Sequence, residues 1–596
     1  MCGICGELRF DGGEPDLGGL QRMMARLARR GPDHEGVFTD GPLAFGHRRL
    51  AIIDLSAHSD QPMVDKALGL SLVFNGTIYN YRELRRELVA LGYRFFSEGD
   101  TEVILKAYHA WGEDCVERFN GMFAFAVWSE AERSLFVGRD RAGIKPLYYA
   151  HDGQRFRFAS TLPALLAAGG VDTGIDPVAL HHHLTLHAVV PAPRTLLKGV
   201  KKLAPGHVML VDAEGHSETR PYWHLKAQRP KLPLGEQAWL ARVRAALLGA
   251  VERQQTAADV PVGVLLSGGL DSSLLVGLLD QLGHHDVQTF SIGFGDKGDE
   301  SGNEFIYSDA VANHFRTRHR KYMIPDAEVL AALPEVVDQM SEPMVSQDVA
   351  AFYLLSQRVS QSVKVVMSGQ GADEVFGGYF WYPNMDAESG APLEKFSRHY
   401  FDRDHAECLA TVTNAYAADD VTSELVAARL AEPDADTFLD QVLRFDATTL
   451  IVDDPVKRVD NMTMAWGLEA RVPFLDHELV ELAMSMPPEL KLKEGGKWPL
   501  KAIARGLIPD SVIDRPKGYF PVPAFKYPQG VFLDFMRGVL DSEACRSRGL
   551  FRREMVDQLL AAPMDHYTRL QGAKVWHLAL LEYWLQRHVD PQAGVA

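Results

Sequence analysis

Cysteine, net positive charge and long apolar runs are all scarce in this chain of 596 residues. Five cysteines, at positions 2, 5, 115, 408 and 545, are too few and too scattered for a disulfide framework, so reduced thiols are expected. Cys2 and Cys5 form a Cys-x-x-Cys pair, but no second pair completes a metal site and no preceding strand supports a redox motif. Lysine and arginine total 62 against 79 aspartates and glutamates, a formal charge of −17. That balance disfavours sequence-independent binding to nucleic acid or anionic membrane, and no basic cluster overrides it. No stretch approaches the roughly 18 uninterrupted apolar residues of a membrane span. Residues 1–15 have neither the basic start nor the apolar core of a signal peptide, so a cytoplasmic location is expected.

What is present is a chain long enough for two or more cored domains, with 46% hydrophobic and 24% charged residues. Residues 1–220 carry short β runs with Gly, Asn and Asp punctuation: Leu72-Val73-Phe74 before Asn75-Gly76, Ala124 to Trp128, and Leu135-Phe136-Val137. They predict a mostly antiparallel, layered domain. A Pro/Lys/Gln stretch, Lys226 to Gly235, marks a linker over residues 221–236. In residues 237–596, Trp239, Val243, Leu247 and Val251 fall on one helical face. Strand-like runs at Val260 to Leu266, Val287 to Phe294 and Val363 to Met367, separated by helical patterns, predict a parallel α/β sheet. From about residue 390 the pattern is mainly helical.

Behind the first of these strands lies Ser267-Gly268-Gly269-Leu270-Asp271-Ser272-Ser273. Strand, paired glycines and helix start make an anion site: backbone approaches the phosphate, the first helical amides point at it, and Ser267 and Ser272 add donors. Asp271 would repel phosphate unless a cation lies between, and Mg²⁺ is the natural bridge. The loop has neither the Walker A ending nor the three-glycine dinucleotide spacing. It resembles the pyrophosphate loop of the ATP pyrophosphatase domains. Ser368-Gly369-Gln370-Gly371-Ala372-Asp373-Glu374 repeats the logic after the Val363 to Met367 strand, so that ATP and Mg²⁺ fit between Asp271 and Asp373. Taken alone, Asp373-Glu374 is also an ordinary acidic helix start.

The other constellation is amino-terminal. Loss of the initiator methionine would leave Cys2 with its own base, an α-amine of pKa about 8 beside the thiol. Attack on an amide needs donors for the oxyanion, which Asn75 and Gly76 could supply, although Asn-Gly between strands more commonly makes a type I′ turn. Met1 to Gly6, Arg30-Gly31-Pro32-Asp33, Gly46 to Leu50, Phe74-Asn75-Gly76 and Gly99 to Glu102 resemble the successive signatures of the class II glutamine amidotransferase domain. The resemblance implies an αββα Ntn-hydrolase-like fold, Cys2 as nucleophile, Asn75 and Gly76 at the oxyanion, Arg49 on the glutamine carboxylate and Asp100 on its ammonium. Asparagine synthetases usually have Glu after Asn-Gly, and here it is Thr77.

The second half resembles the synthetase domain of glutamine-hydrolysing asparagine synthetases, through the two loops, Lys457-Arg458-Val459-Asp460, Gly467 to Asp476, and Arg515-Pro516-Lys517. By that resemblance Leu265, Ile292, Ser368 and Gly369 surround the adenosine and Lys517 stabilises charge as an acyl adenylate forms. A protected ammonia channel and a homodimer are also implied. Gln370 stands where these enzymes have Glu, beside the acyl intermediate, which makes aspartate less secure as the acceptor. His187 to Arg194, Ser341 to Ser346, Asp453 to Met462 and Arg515 to Pro521 are similar to N-acetylglutaminylglutamine amidotransferases, which amidate an acylated dipeptide in osmolyte synthesis. His181-His182-His183 with His187 lacks the zincin pattern, since Leu184 follows His183, and is expected to be interdomain or surface polarity.

Overall fold

A computed structural model describes residues 2–295, 302–515 and 523–590. Lys517 lies outside the described residues.

Strands of the amino-terminal half are Cys2–Arg9 (β1), His34–Asp40 (β2), Leu43–Arg49 (β3), Met63–Asp65 (β4), Leu70–Ile78 (β5), Gly121–Ser129 (β6), Ser134–Arg139 (β7), Tyr148–His151 (β8), Arg155–Ala159 (β9), Lys201–Lys202 (β10), His207–Asp212 (β11) and Ser217–Pro221 (β12). They form two antiparallel sheets, ordered β10-β8-β9-β1-β3-β2 and β12-β11-β7-β6-β5-β4. Alternation along the strands lets one face of each sheet meet the other: Ile4, Phe45 and Phe158 of the first pack with Val73, Ala124 and Trp128 of the second. Opposite faces are covered too. Helix Leu17–Leu27 buries Leu20, Met23, Met24 and Leu27 against the first sheet, and helix Thr101–Trp111 buries Val103, Ile104 and Leu105 beside Phe123 and Phe125 of the second. The result is helix, sheet, sheet, helix.

Asn75-Gly76 is not a turn. Both residues lie inside β5, opposite Ala124 and Phe123 of β6. Local statistics of the dipeptide are overridden because both sheet faces here are buried, which rewards continued pairing. A Cβ on Gly76 would lie 2.2 Å from the Met122 carbonyl oxygen, so only glycine fits this close strand approach.

Five parallel strands form the second sheet system: Val262–Leu265 (β13), Gln288–Phe294 (β14), Arg318–Ile324 (β15), Val365–Met367 (β16) and Glu469–Arg471 (β17), ordered β15-β14-β13-β16-β17. β17 carries no strand-like pattern in the sequence; its three buried residues are extended because β16 pairs with them. Helix Glu236–Thr256 buries the expected face of Trp239, Val243, Leu247 and Val251. The stretch before it is strapped down: Ala227 bridges Ala435, and the Arg229 N–H donates to Asp436 at 2.7 Å.

Of the two settings expected for the histidine run, interdomain or surface, the structure has the interdomain one. His181, His182 and His183 are buried in helix Pro177–Thr185, where His181 Nδ1 and His182 Nδ1 meet Thr422 Oγ1 at 2.6 and 2.9 Å, and His181 Nε2 meets His405 Nδ1 at 3.0 Å. Hydrogen bonds across the two halves compensate the burial of the His181 and His182 rings. Among the described residues, no helix is long and apolar enough to cross a membrane.

Candidate active sites

Cys2 opens β1 and sits directly opposite Arg49 of β3. It is 5% exposed, and its N–H donates to Asn75 Oδ1 at 3.0 Å. Because Oδ1 is turned to Cys2, the other end of the amide faces away from it, and Asn75 Nδ2 is buried with no hydrogen-bond partner among the described residues. An unpaired buried donor is costly, so this amide N–H is free to bond to a group that enters the site. Cys2, Arg49, Phe74, Gly76, Thr77 and Asp100 border one small cavity. Strand register and the start of helix Thr101–Trp111 thus bring Cys2, Arg49, Gly76 and Asp100 to one cavity, while Asn75 is tied to it through the Cys2 N–H.

Arg49 is already held, by Ser56 O at 2.8 Å, Asp60 Oδ1 at 2.7 Å and Asp54 O. Asp100 accepts the Ile78 N–H at 2.9 Å, and burial pushes its carboxyl up to about 6. Thr77 brings a carboxylate with it that the sequence did not reveal: its hydroxyl donates to Glu469 of β17, 3.4 Å from Oε2. Burial would raise that carboxyl, but Arg471, with Nε 2.5 Å from Glu469 Oε1, holds it below the usual range.

At the carboxyl ends of adjacent strands β13 and β16 lie the two glycine loops, where open parallel sheets bind ligands. Ser267 Oγ meets Ser272 Oγ at 3.1 Å and accepts the Gly269 N–H at 3.2 Å, closing the first loop onto the start of helix Leu270–Gln281. Leu265, Ile292 and Ser368 are buried around it. Arg515 stands nearby, paired with Glu304 at 2.8 Å and stacked 4.4 Å from the Tyr307 ring centroid.

Asp271 and Asp373 do converge, and on a residue the sequence left unmarked. Lys497 Nζ lies 2.6 Å from Asp271 Oδ2 and 2.8 Å from Asp373 Oδ2. Burial opposes its charge, but the two carboxylates hold the ammonium above its ordinary pKa. A Cβ on Gly378 would fall 2.2 Å from Asp373 Oδ1 and 2.3 Å from Lys497 Cε, so glycine there admits both side chains. Two carboxylate oxygens close enough to share one ammonium are also a donor set suited to Mg²⁺.

Gln370 and Asp373 border a cavity of about 280 Å³ whose walls include Tyr379, Asp446, Arg458 and His187. Burial, then the Asp373 charge, lifts Glu374 to about 7, and Tyr379 OH donates to it at 2.8 Å. Between the two sites runs a charged seam. Arg30 Nε donates to the Cys2 carbonyl at 3.3 Å while its Nη1 reaches Asp460 at 2.8 Å, and Lys145 reaches the same carboxylate at 3.1 Å. The Arg-Gly-Pro-Asp and Lys-x-x-Asp segments therefore meet at the domain junction.

Residues 1–223 match the glutamine amidotransferase domain family, and residues 242–586 match the asparagine synthase family. Asparagine synthetase [glutamine-hydrolyzing] 3 of Bacillus subtilis is 30% identical over 99% of both chains. A putative asparagine synthetase of Mycobacterium tuberculosis is 31% identical over the full length of both. An amidase of Gibberella zeae is 29% identical over 86% of this chain and 87% of its own. With both halves matched and full-length relatives at this identity, the chain belongs to the asparagine synthase family.

Proposed function

We propose that this protein is a glutamine-dependent amidotransferase: it frees ammonia from glutamine, activates a carboxylic acid with ATP as an acyl adenylate, and releases AMP as ammonia forms the amide. The observation that carries the reading is the Arg30 bridge, in which one guanidinium binds the Cys2 carbonyl and the synthetase-domain Asp460. Two chemistries so joined within one chain fit a sequence of reactions that shares an intermediate.

In the first, Cys2 Sγ attacks the glutamine amide carbon, Asn75 Nδ2 and the Gly76 N–H receive the oxyanion, and ammonia leaves. Arg49 would take the glutamine carboxylate and Asp100 its ammonium, with Glu469 supplying through Thr77 the carboxylate that the family has at position 77. In the second, the amides at the start of helix Leu270–Gln281 cradle the pyrophosphate portion, and Leu265, Ile292, Ser368 and Gly369 enclose the adenosine. Mg²⁺ held by Asp271 and Asp373 would neutralise phosphate charge there, and Lys517 would do the same at the reacting centre. A protected path for ammonia, a homodimer and a cytoplasmic setting complete the reading.

The acceptor we favour is an acylated dipeptide, N-acetylglutaminylglutamine. Supporting it are Gln370 in place of Glu and a cavity of about 280 Å³, close to the ~300 Å³ at which pockets begin to enclose sizeable ligands. Pyrophosphate release from ATP and Mg²⁺ with glutamine present decides it. Turnover with the acylated dipeptide alone is expected; asparagine formed from aspartate would make Gln370 compatible with the smaller acid and sink the dipeptide assignment.

Glutamine capture has a pH signature. Asp100 must be ionised to pair with an ammonium, and burial has raised its carboxyl to about 6, so the needed charge is lost as pH falls through that value. The kcat/KM for glutamine hydrolysis should drop toward about tenfold per unit below pH 6, while kcat, measured with glutamine bound, falls at lower pH. A kcat/KM flat from pH 7 to 5 would remove Asp100 from the site.

A further inference from the structure

His187 belongs to the amino-terminal half, two residues beyond helix Pro177–Thr185, yet its ring borders the same cavity as Gln370 and Asp373. The backbone there is unusual: His187 has φ +52° and Ala188 φ +66°. Successive non-glycine residues in the left-handed region persist only where their surroundings hold them. Here the Ala188 N–H donates to His183 O at 2.9 Å and the Val190 N–H to Asp453 Oδ2 at 3.1 Å.

The consequence of that turn is a directed imidazole. His187 Nδ1 lies 2.8 Å from Asp402 Oδ2, and Asp402 is buried and shared with His577, 3.5 Å away. Nδ1 is thereby committed, and Nε2 has no hydrogen-bond partner among the described residues. Groups facing the ring are Asp402, Asp454, Asp348, Arg458, His183 and His577. Burial opposes protonation, but the Asp402 carboxylate outweighs it and raises the pKa, whereas His577, buried beside this cation, is pushed well below its usual value. Arg458 is held by Asp348 at 3.1 Å and Asp454 at 2.6 Å. His187 therefore brings to the cavity an Nε2 that no neighbour consumes, an atom that carries a proton in the imidazolium form that Asp402 favours.

We propose that His187, oriented by Asp402, donates its Nε2–H to an oxygen of the acceptor, a carboxylate or acyl carbonyl remote from the carboxyl being activated, and thereby selects the acid. The proposal rests on the amidotransferase reading. It makes a residue of the glutaminase half a specificity determinant of the synthetase half.

The test uses His187→Asn in the full-length enzyme, because asparagine tolerates the left-handed backbone but is too short to reach the cavity. Aspartate and N-acetylglutaminylglutamine serve as acceptors. With whichever gives amide, the acceptor KM is expected to rise about 10- to 100-fold, the worth of one charge-assisted hydrogen bond, with the ATP KM and glutaminase kcat/KM within about twofold. In the wild type the acceptor KM should rise as pH climbs through the imidazolium pKa; Asp402→Asn should move that break to lower pH, an effect that loss of packing would not produce. An unchanged acceptor KM in His187→Asn, or a break unmoved by Asp402→Asn, overturns the assignment even with the amidotransferase reading intact. A wild type with neither glutaminase activity nor ATP-dependent pyrophosphate release removes the reading itself, and the inference with it.

Discussion

Cys2→Ala will lose glutamine-dependent amide formation by about 10⁴-fold or more, while synthesis from added ammonium salt stays within a few-fold of wild type. The size follows from the nature of the loss: an alanine leaves β1, the N–H to Asn75 and the Arg30 contact in place, but no nucleophile. Removing the attacking atom of a covalent mechanism typically costs such factors, leaving only binding and oxyanion stabilisation. Free ammonia should bypass the step, since the synthetase site proposed above lies at the ends of β13 and β16 in the other half. Comparing the two nitrogen sources in one assay checks this. A variant that still hydrolyses glutamine would show that another group attacks, and an equal loss with ammonia would show that the substitution damages the whole molecule.

The second large effect concerns Lys497→Met. Pyrophosphate release should fall about 100-fold or more, and glutaminase activity should not change beyond about twofold. Methionine preserves most of the stem packed against Gly378 but removes the ammonium lying 2.6 and 2.8 Å from two carboxylates. Asp271 and Asp373 then face each other without it. Without the ammonium two part-buried carboxylates repel each other, so thermal unfolding should also move to lower temperature. Raised Mg²⁺ should restore part of both losses if the two carboxylates can share a divalent cation. Full pyrophosphate release in the variant would exclude Lys497 from the nucleotide site.

Both variants probe positions that stood very differently in the sequence. Cys2 was marked by its place beside the initiator methionine and by the glycine-rich motifs that follow. Lys497 was not: it lies in none of the motifs, and its partners are 226 and 124 residues away in the chain. The same contrast separates Asn75 from Glu469. The former sits in a dipeptide with a known chemical use, although its strand setting was misread as punctuation. The latter reaches Thr77 only because β17 joins β16, a pairing of three residues with no pattern of their own.

Local pattern was sufficient for the antiparallel and parallel halves, the glycine loops behind their strands, and the amphipathic helix from Glu236. These depend on periodicity of two or 3.6 residues and on backbone chemistry within a few residues, which sequence order records directly. Contacts across the chain were needed for the rest: the Arg30 to Asp460 bridge, the ammonium between the two aspartates, the burial of the histidine run, and the turn that carries His187 into the cavity of the other half. Electrostatic and hydrogen-bonding partners are chosen by distance in space, and that distance exists only once the sheets have packed and the two halves have closed on each other.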